Sequence, residues 1–123
     1  MRPPGQELDD VFVKVADYFA VLSEPNRLKI MHALCEGERS VGQVLERTGL
    51  SQTNASRHLG LMRLHGLVSA RRDGKQIHYR IADDTMPQLC RAVCRRIAAA
   101  VDQRGPLKRQ LMKLVAAADR HAA

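Results

Sequence analysis

The residues with the most chemistry in them are three cysteines, Cys35, Cys90 and Cys94. Two of them fall in QLCRAVCRRI, residues 88–97, four positions apart among Arg91, Arg95 and Arg96. On a helix that spacing sets the thiols on neighbouring turns. Met86, Cys90, Val93, Ile97 and Val101 then form one apolar stripe, with Cys90 near its middle, Cys94 at its edge, and Arg91 and Arg95 facing away as a solvated outer face. Cys90 reads as either a packed small hydrophobe or a reactive thiol. For Cys94, the border position and the arginines one turn away favour a partly exposed, more acidic thiol. A direct Cys90–Cys94 disulfide is disfavoured, because parallel Cβ directions in a regular helix strain the required dihedral.

Other chemistries find little support. The chain has no C-x-x-C, no Cys-His-acid set and no phosphate-cradling glycine loop, which argues against a small thiol enzyme. His32, His58, His65, His78 and His121 form no HxxxH-type pair. His58 and His78 are expected at contact surfaces or in solvent, and His32 and His65 as half-buried structural residues.

The elements that must position these residues follow from periodicity. Residues 8–22 place apolar side chains at 8, 11, 12, 15, 19 and 22, a helical period. Ser23-Glu24-Pro25 ends that helix and starts a second over 25–35, which buries Leu28, Ile30, Met31 and Leu34 and has Cys35 at its end. Ser40 caps a short helix that closes at Gly49. Ser51 caps another, SQTNASRHLGLMRLHG, with Ala55, Leu59, Met62 and Leu64 as apolar positions. Two short helices joined by a tight turn make a helix-turn-helix over 40–65. The period then becomes two: LVSARR and QIHYRI flank Asp73-Gly74-Lys75, a hairpin over 67–81. Helix returns from Asp83 to about Gln103, and a last amphipathic helix spans 107–120. The expected fold is mainly α with a small β-hairpin, a winged helix-turn-helix forming a single domain over 1–123.

Charge points the same way. The 123 residues carry a net +7, but residues 1–54 have 6 Lys and Arg against 8 Asp and Glu, whereas residues 55–123 have 14 against 5. A basic half suits a polyanion, nucleic acid before membrane, since no segment is apolar enough to span a bilayer. An N-terminus without the apolar stretch of a signal peptide implies a cytoplasmic protein, where three cysteines do not make a disulfide framework.

A recognition helix presents its first turns to base edges in the major groove. The outward set here is Gln52, Thr53, Asn54, Ser56, Arg57 and Arg63. Gln and Asn can bond adenine, Arg can bond guanine, and Ser and Thr can bond base or phosphate. The hairpin adds Arg71, Arg72, Lys75, Gln76 and Arg80, which can enter the minor groove or neutralise phosphate.

LSEPNRLKIMHAL followed by SQTNASRHLGLMRLHGLVSARRDGKQIHYRI resembles the ArsR/SmtB family of bacterial winged-helix repressors, over roughly residues 10–103. The resemblance implies a homodimer held by the first helix and the helix after the wing (8–22 and 83–103), with the role of 107–120 left open. It implies binding to an inverted-repeat operator in double-stranded DNA and release by a small inducer. The matching recognition-helix positions are Ser51, Gln52, Thr53, Ser56, Arg57 and His58.

Neither familiar metal site of that family is expected. Ser40 and Gly42 stand where one places its two thiols. Asp83 matches an aspartate of the other, but Thr85, Arg96 and Ala99 stand at or near its remaining ligands, and one carboxylate does not hold zinc. Asp83 is read as a helix cap. No cofactor is expected. Some family members sense oxidants or reactive sulfur with one cysteine on each of two helices. That resemblance implies a sensing set of Cys35, Cys90 and Cys94, although His32 rather than Cys35 occupies the usual second-helix position and the later cysteine falls near Ala98. Cys35 linked to Cys90 or Cys94 directly or through sulfur, three thiolates on a soft ion such as arsenite, and a regulator without thiol sensing all remain open. Of the two helix-borne thiols, Cys94 is the favoured sensor.

Overall fold

Glu24 shows how local chemistry sets the helix boundaries. In the computed structural model, which describes residues 3, 5–100 and 105–122, α1 spans Gln6–Leu22 and α2 spans Pro25–Cys35. Glu24 lies between them in an extended conformation and its carboxylate accepts from the Arg27 amide at 3.0 Å, with Pro25 at the first helical position. The helix α3, Val41–Thr48, begins with a reciprocal cap. Ser40 Oγ accepts from the Gln43 amide at 3.2 Å, and Gln43 Oε1 accepts from the Ser40 amide at 2.9 Å. It stops at Gly49, whose φ of 73° is the left-handed turn that glycine permits. Ser51 then caps α4, Gln52–Leu64, by accepting from the Asn54 amide at 3.2 Å.

Strands β2 (Val68–Asp73) and β3 (Gln76–Ile81) pair antiparallel, with Asp73 opposite Gln76 across Gly74-Lys75. Gly74 has φ 62°, which the two-residue turn requires. One strand was not expected: β1, Arg39–Ser40, pairs with β3 opposite Tyr79 and His78, giving the order β1-β3-β2. Two residues carry too little alternation to reveal a strand. Helices α5 (Thr85–Ala100) and α6 (Pro106–Ala122) complete the chain. Val101 and Gln103, placed in the fifth helix by periodicity, lie outside the described residues.

The core gathers on α2, which packs against α3, α4, α5 and α6. Ile30, Leu34, Val44, Leu59, Met62 and Leu67 are fully buried in it. Leu28 is only half-buried, and Leu64 is 81% exposed rather than inward. The buried positions of α4 are 55, 58, 59 and 62, and 64 falls off that stripe.

Two features depart from a simple wing and bundle. Most of α1 is unpartnered: Leu8, Val11, Phe12, Val15 and Phe19 are exposed, and Val21 is its buried residue. By contrast, α6 docks along α5 and reaches α2. Leu111 and Val115 pack on Cys94 and Ala98, Ala117 enters the main core, and Arg120 Nη2 lies 3.5 Å from Glu36. The expected solvated face holds for Arg95, whose side chain is 59% exposed, while Arg91 is half-covered. Arg91 pairs with Asp119 of α6 at 2.6 Å and Arg95 approaches the same carboxylate at 3.7 Å.

Replacing Leu59 with Ala is expected to cost about 2–5 kcal/mol of unfolding free energy, whereas Leu64→Ala should stay within about 0.5 kcal/mol. Chemical denaturation of both variants measures the difference, and equal losses would contradict the placement of Leu64.

Candidate nucleic-acid interface and thiol cluster

On α4 the capping residue Ser51 and the side chains of Gln52, Thr53, Asn54, Ser56, Arg57 and Arg63 are all exposed. Thr53, Ser56 and Arg57 face away from the buried stripe, and Gln52, Asn54 and Arg63 flank it, with Gln52, Thr53, Ser56 and Arg57 on the first turns. Beside it, a cleft of about 400 Å³ runs between α4 and the wing, bounded by Ser40, Gln52, Ser56, Lys75, Gln76 and Tyr79. Recognition helix and wing therefore present polar and cationic groups to one space. Arg71, Arg72, Lys75, Gln76 and Arg80 are exposed on the wing.

Three of the expected contact residues are engaged within the chain. His58 is 5% exposed and points inward, so it belongs to the seat of α4 and not to its outer face. Position 58 completes the 55-58-59-62 stripe, and that spacing was the available signal. Arg71 is committed within the chain: Glu38 Oε1 accepts from its Nε at 2.7 Å and lies 2.5 Å from Nη2. The pair holds the Glu38 carboxyl below the usual carboxylate range and raises the Arg71 guanidinium, chiefly through that hydrogen bond. Arg80 Nε likewise donates to Ser69 Oγ at 3.0 Å across the hairpin. Arg72, Lys75 and Gln76 extend the surface toward the tip. His65 is exposed, where a half-buried residue was expected, while His32 is half-buried.

Cys90 and Cys94 lie elsewhere, in an apolar groove of about 520 Å³ between α1, α2, α5 and α6, whose walls include Leu22, Met31, Met86 and Leu111, while Cys35 is buried in the main core. Cys90 Sγ and Cys94 Sγ are 3.8 Å apart. Cys90 touches both packed clusters: Cys35 belongs to the main core and Cys94 to the smaller α5–α6 cluster. The two helix thiols are therefore reversed from the expected pattern, since Cys94 is buried and Cys90 is half-buried. The cause is α6, which covers the edge of α5 that carries Cys94. Nor are the Cys90 and Cys35 thiols acidic. Burial first, then the neighbouring Cys94 and Cys35, pushes the Cys90 thiol up from 9.0 to about 12. Burial likewise lifts Cys35 to about 11, partly offset by Arg120.

Asp83 is a cap. Its Oδ1 accepts from the Thr85 amide at 2.9 Å and its Oδ2 from the Tyr18 hydroxyl at 3.3 Å. The hydrogen bonds from Thr85 lower its carboxyl, and burial, then Asp83, raises Tyr18 to about 12. Among the described residues no three His, Cys, Asp or Glu side chains are gathered to hold a metal ion, so the three thiols do not form a ready three-coordinate site. Among them too, no helix is long and apolar enough to cross a membrane.

Residues 24–70 match the family profile described as "Bacterial regulatory protein, arsR family". The chain is 38% identical over 96 residues to the HTH-type transcriptional regulator Rv0081 of Mycobacterium tuberculosis, covering 77% of this chain and 83% of the relative. It is 38% identical over 90 residues to a probable mercury resistance operon repressor of Streptomyces lividans, covering 71% and 72%. Its structure is similar to the homodimeric winged helix-turn-helix DNA-binding domain Mb0332 of Mycobacterium bovis. There the TM-score is 0.66 and the identity 32%, over 80% of this chain and 91% of that one.

Folding raises Cys35 and Cys90 above their ordinary value, so the native state is unaffected by their titration below about pH 9 and loses stability as pH climbs toward 11 and 12. Native alkylation by iodoacetamide is accordingly expected to be slow at pH 7 relative to the unfolded chain and to accelerate above pH 9. Mass spectrometry of quenched samples checks this, and fast native labelling at pH 7 would contradict the burial described.

Proposed function

The chain belongs to the arsR family of bacterial regulatory proteins, and we propose that it is a homodimeric repressor, bound to an inverted-repeat operator in duplex DNA and released by chemistry at a thiol cluster centred on Cys90. The observation that carries the DNA reading is the shared surface of α4 and the wing, with Gln52, Ser56, Lys75 and Gln76 opening onto one cleft and Arg57 exposed next to Ser56. Gln52 and Arg57 are suited to base edges, and Ser51, Thr53, Asn54, Ser56, Arg63, Arg72 and Lys75 to base or phosphate. Arg71, held by Glu38, orients the wing.

Dimerisation explains the face of α1. Phe12 and Phe19 are 61% and 55% exposed, and Val93 and Ile97 of α5 add to the same uncovered apolar surface. So extensive a patch on a small chain calls for a partner, and a second copy presents the same helices. A twofold dimer sets two recognition helices about one DNA turn apart, which makes the operator a near-palindrome.

The switch reading rests on thiol proximity. Cys90 and Cys94 lie 3.8 Å apart in the groove, with Cys35 beside Cys90. A two-electron oxidant of the peroxide or sulfane-sulfur class would take two protons and two electrons from a pair of these thiols as an S–S link forms. Because Cys90 and Cys35 stay protonated at neutral pH, small uncharged reagents that enter an apolar groove are favoured over anions. A link reaching Cys35 would pull α2 against α5 and so alter the spacing of the two recognition helices. A second reading, a soft ion held by the Cys90–Cys94 pair, is favoured by the similarity to the Streptomyces lividans repressor.

Arg57→Ala is expected to weaken operator binding by about 1–3 kcal/mol, and Lys75→Ala to lower the salt slope by about 1. Titration of a promoter duplex at several salt concentrations measures both, and the wild-type reduced protein binding no duplex at low salt would end the DNA reading. For the switch, the protein is exposed separately to polysulfide, peroxide, arsenite and mercuric ion, with intact mass and DNA release read together. Release should coincide with an S–S, added-sulfur or metal mass and disappear when Cys35, Cys90 and Cys94 are all replaced by Ser. Release that survives the triple replacement, or that no reagent produces, removes thiol sensing.

A further inference from the structure

Arg27, in the first turn of α2, touches three elements at once. Its Nε donates to the Val21 carbonyl and its Nη2 to the Ala20 carbonyl at 3.2 Å, which closes the C-terminal end of α1. Its Nη1 lies 3.3 Å from Nδ1 of His58 on α4. A guanidinium can only donate, so Nδ1 is the acceptor and the neutral ring carries its proton on Nε2. That nitrogen faces Glu24 Oε2 at 3.7 Å, and the same carboxylate oxygen accepts from the Arg27 amide. His58 is thus a buried polar group in the otherwise apolar stripe that seats α4. Apolar neighbours such as Leu59 and Met62 resist separation but are weakly directional. A hydrogen bond to one ring nitrogen is directional and penalises rotation of the helix about its axis.

We propose that Arg27 and His58 are positioning residues that couple α1 to the recognition helix: Arg27, anchored on the last carbonyls of α1, sets the rotation of α4 through His58 and thereby the aim of Gln52, Ser56 and Arg57. The coupling rests on the DNA-binding reading above. It places the end of the unpartnered helix α1 one side chain away from the helix that reads bases, so a displacement of α1 reaches the DNA face without passing through the wing. Mere packing would affect folding alone, whereas aim affects sequence discrimination.

The test measures affinity for two duplexes at one salt concentration: one selected from a randomised pool by the wild-type protein, and one unrelated. Arg27→Met and His58→Leu should each weaken the selected duplex about tenfold and leave the unrelated one within about twofold, since phosphate contacts tolerate small rotations and base contacts do not. The double variant should be no weaker than the worse single variant, and His58→Asn, whose Oδ1 offers an acceptor near the place of Nδ1, should regain most of the affinity. Equal losses on both duplexes, or losses that multiply in the double variant, would overturn the coupling. Should His58→Leu fail to fold, Arg27→Lys and His58→Asn decide. The lysine cannot span both carbonyls and the ring, so it should lose affinity for the selected duplex while the asparagine holds it; wild-type affinity in both overturns the proposal. If the wild-type protein selects no duplex, the DNA-binding reading itself fails, a result distinct from every variant outcome.

Discussion

Everything outward on this protein depends on how α4 is seated. Ala55, His58, Leu59 and Met62 face inward at helical spacing, and packing them beside Ile30 and Leu34 of α2 leaves residues 52, 53, 56, 57 and 63 no direction except solvent. The same burial fixes the wing. Leu67 and Val68 follow α4 directly into the core, so the hairpin leaves the body close beside the recognition helix, and β1 braces it from the far edge. The apolar stripe fixes which side of α4 faces the core but holds small rotations about the helix axis only loosely. The one polar residue in the stripe, His58, supplies the direction.

The second constraint is a surplus of apolar surface. The core around α2 is complete without most of α1, whose Leu8, Val11, Phe12 and Phe19 are more than half exposed among the described residues. Apolar area of this kind is costly in water and accounts for association better than any fold requirement does. In contrast α6 is docked: Leu111 and Val115 cover α5, and Asp119, Arg120 and His121 tie its end to Arg91, Glu36 and Asp84. Its docking buries Cys94 and encloses the groove, so the reactivity of the thiols is governed by burial more than by the arginines near them in sequence.

Much of this was legible in the chain itself. The caps at Ser40 and Ser51, the Asp-Gly turn at 73–74 and the switch from a period of about four to a period of two are local properties, set by groups within a few residues of one another. They determined the order of the helices and the hairpin, the winged helix-turn-helix and the outward face of α4, but not the short strand β1. The charge contrast between the halves of the chain pointed to a polyanion for the same reason: it needs no contacts to be read.

What only the tertiary structure decided are relations between segments distant in sequence. Whether Arg71 stands free depends on Glu38, thirty-three residues earlier. Whether Cys94 or Cys90 is the covered thiol depends on where α6 lies, and the surroundings of Arg91 and Arg95 depend on Asp119. His58 was misread as a contact residue because a polar side chain in a polar run is ordinarily outward; its burial is tolerable only because Arg27 and Glu24 arrive from another helix to meet its ring. Residue type and spacing determine which side of a helix a group occupies. The partner waiting on that side, and with it the group's charge, reactivity and role, is set by packing.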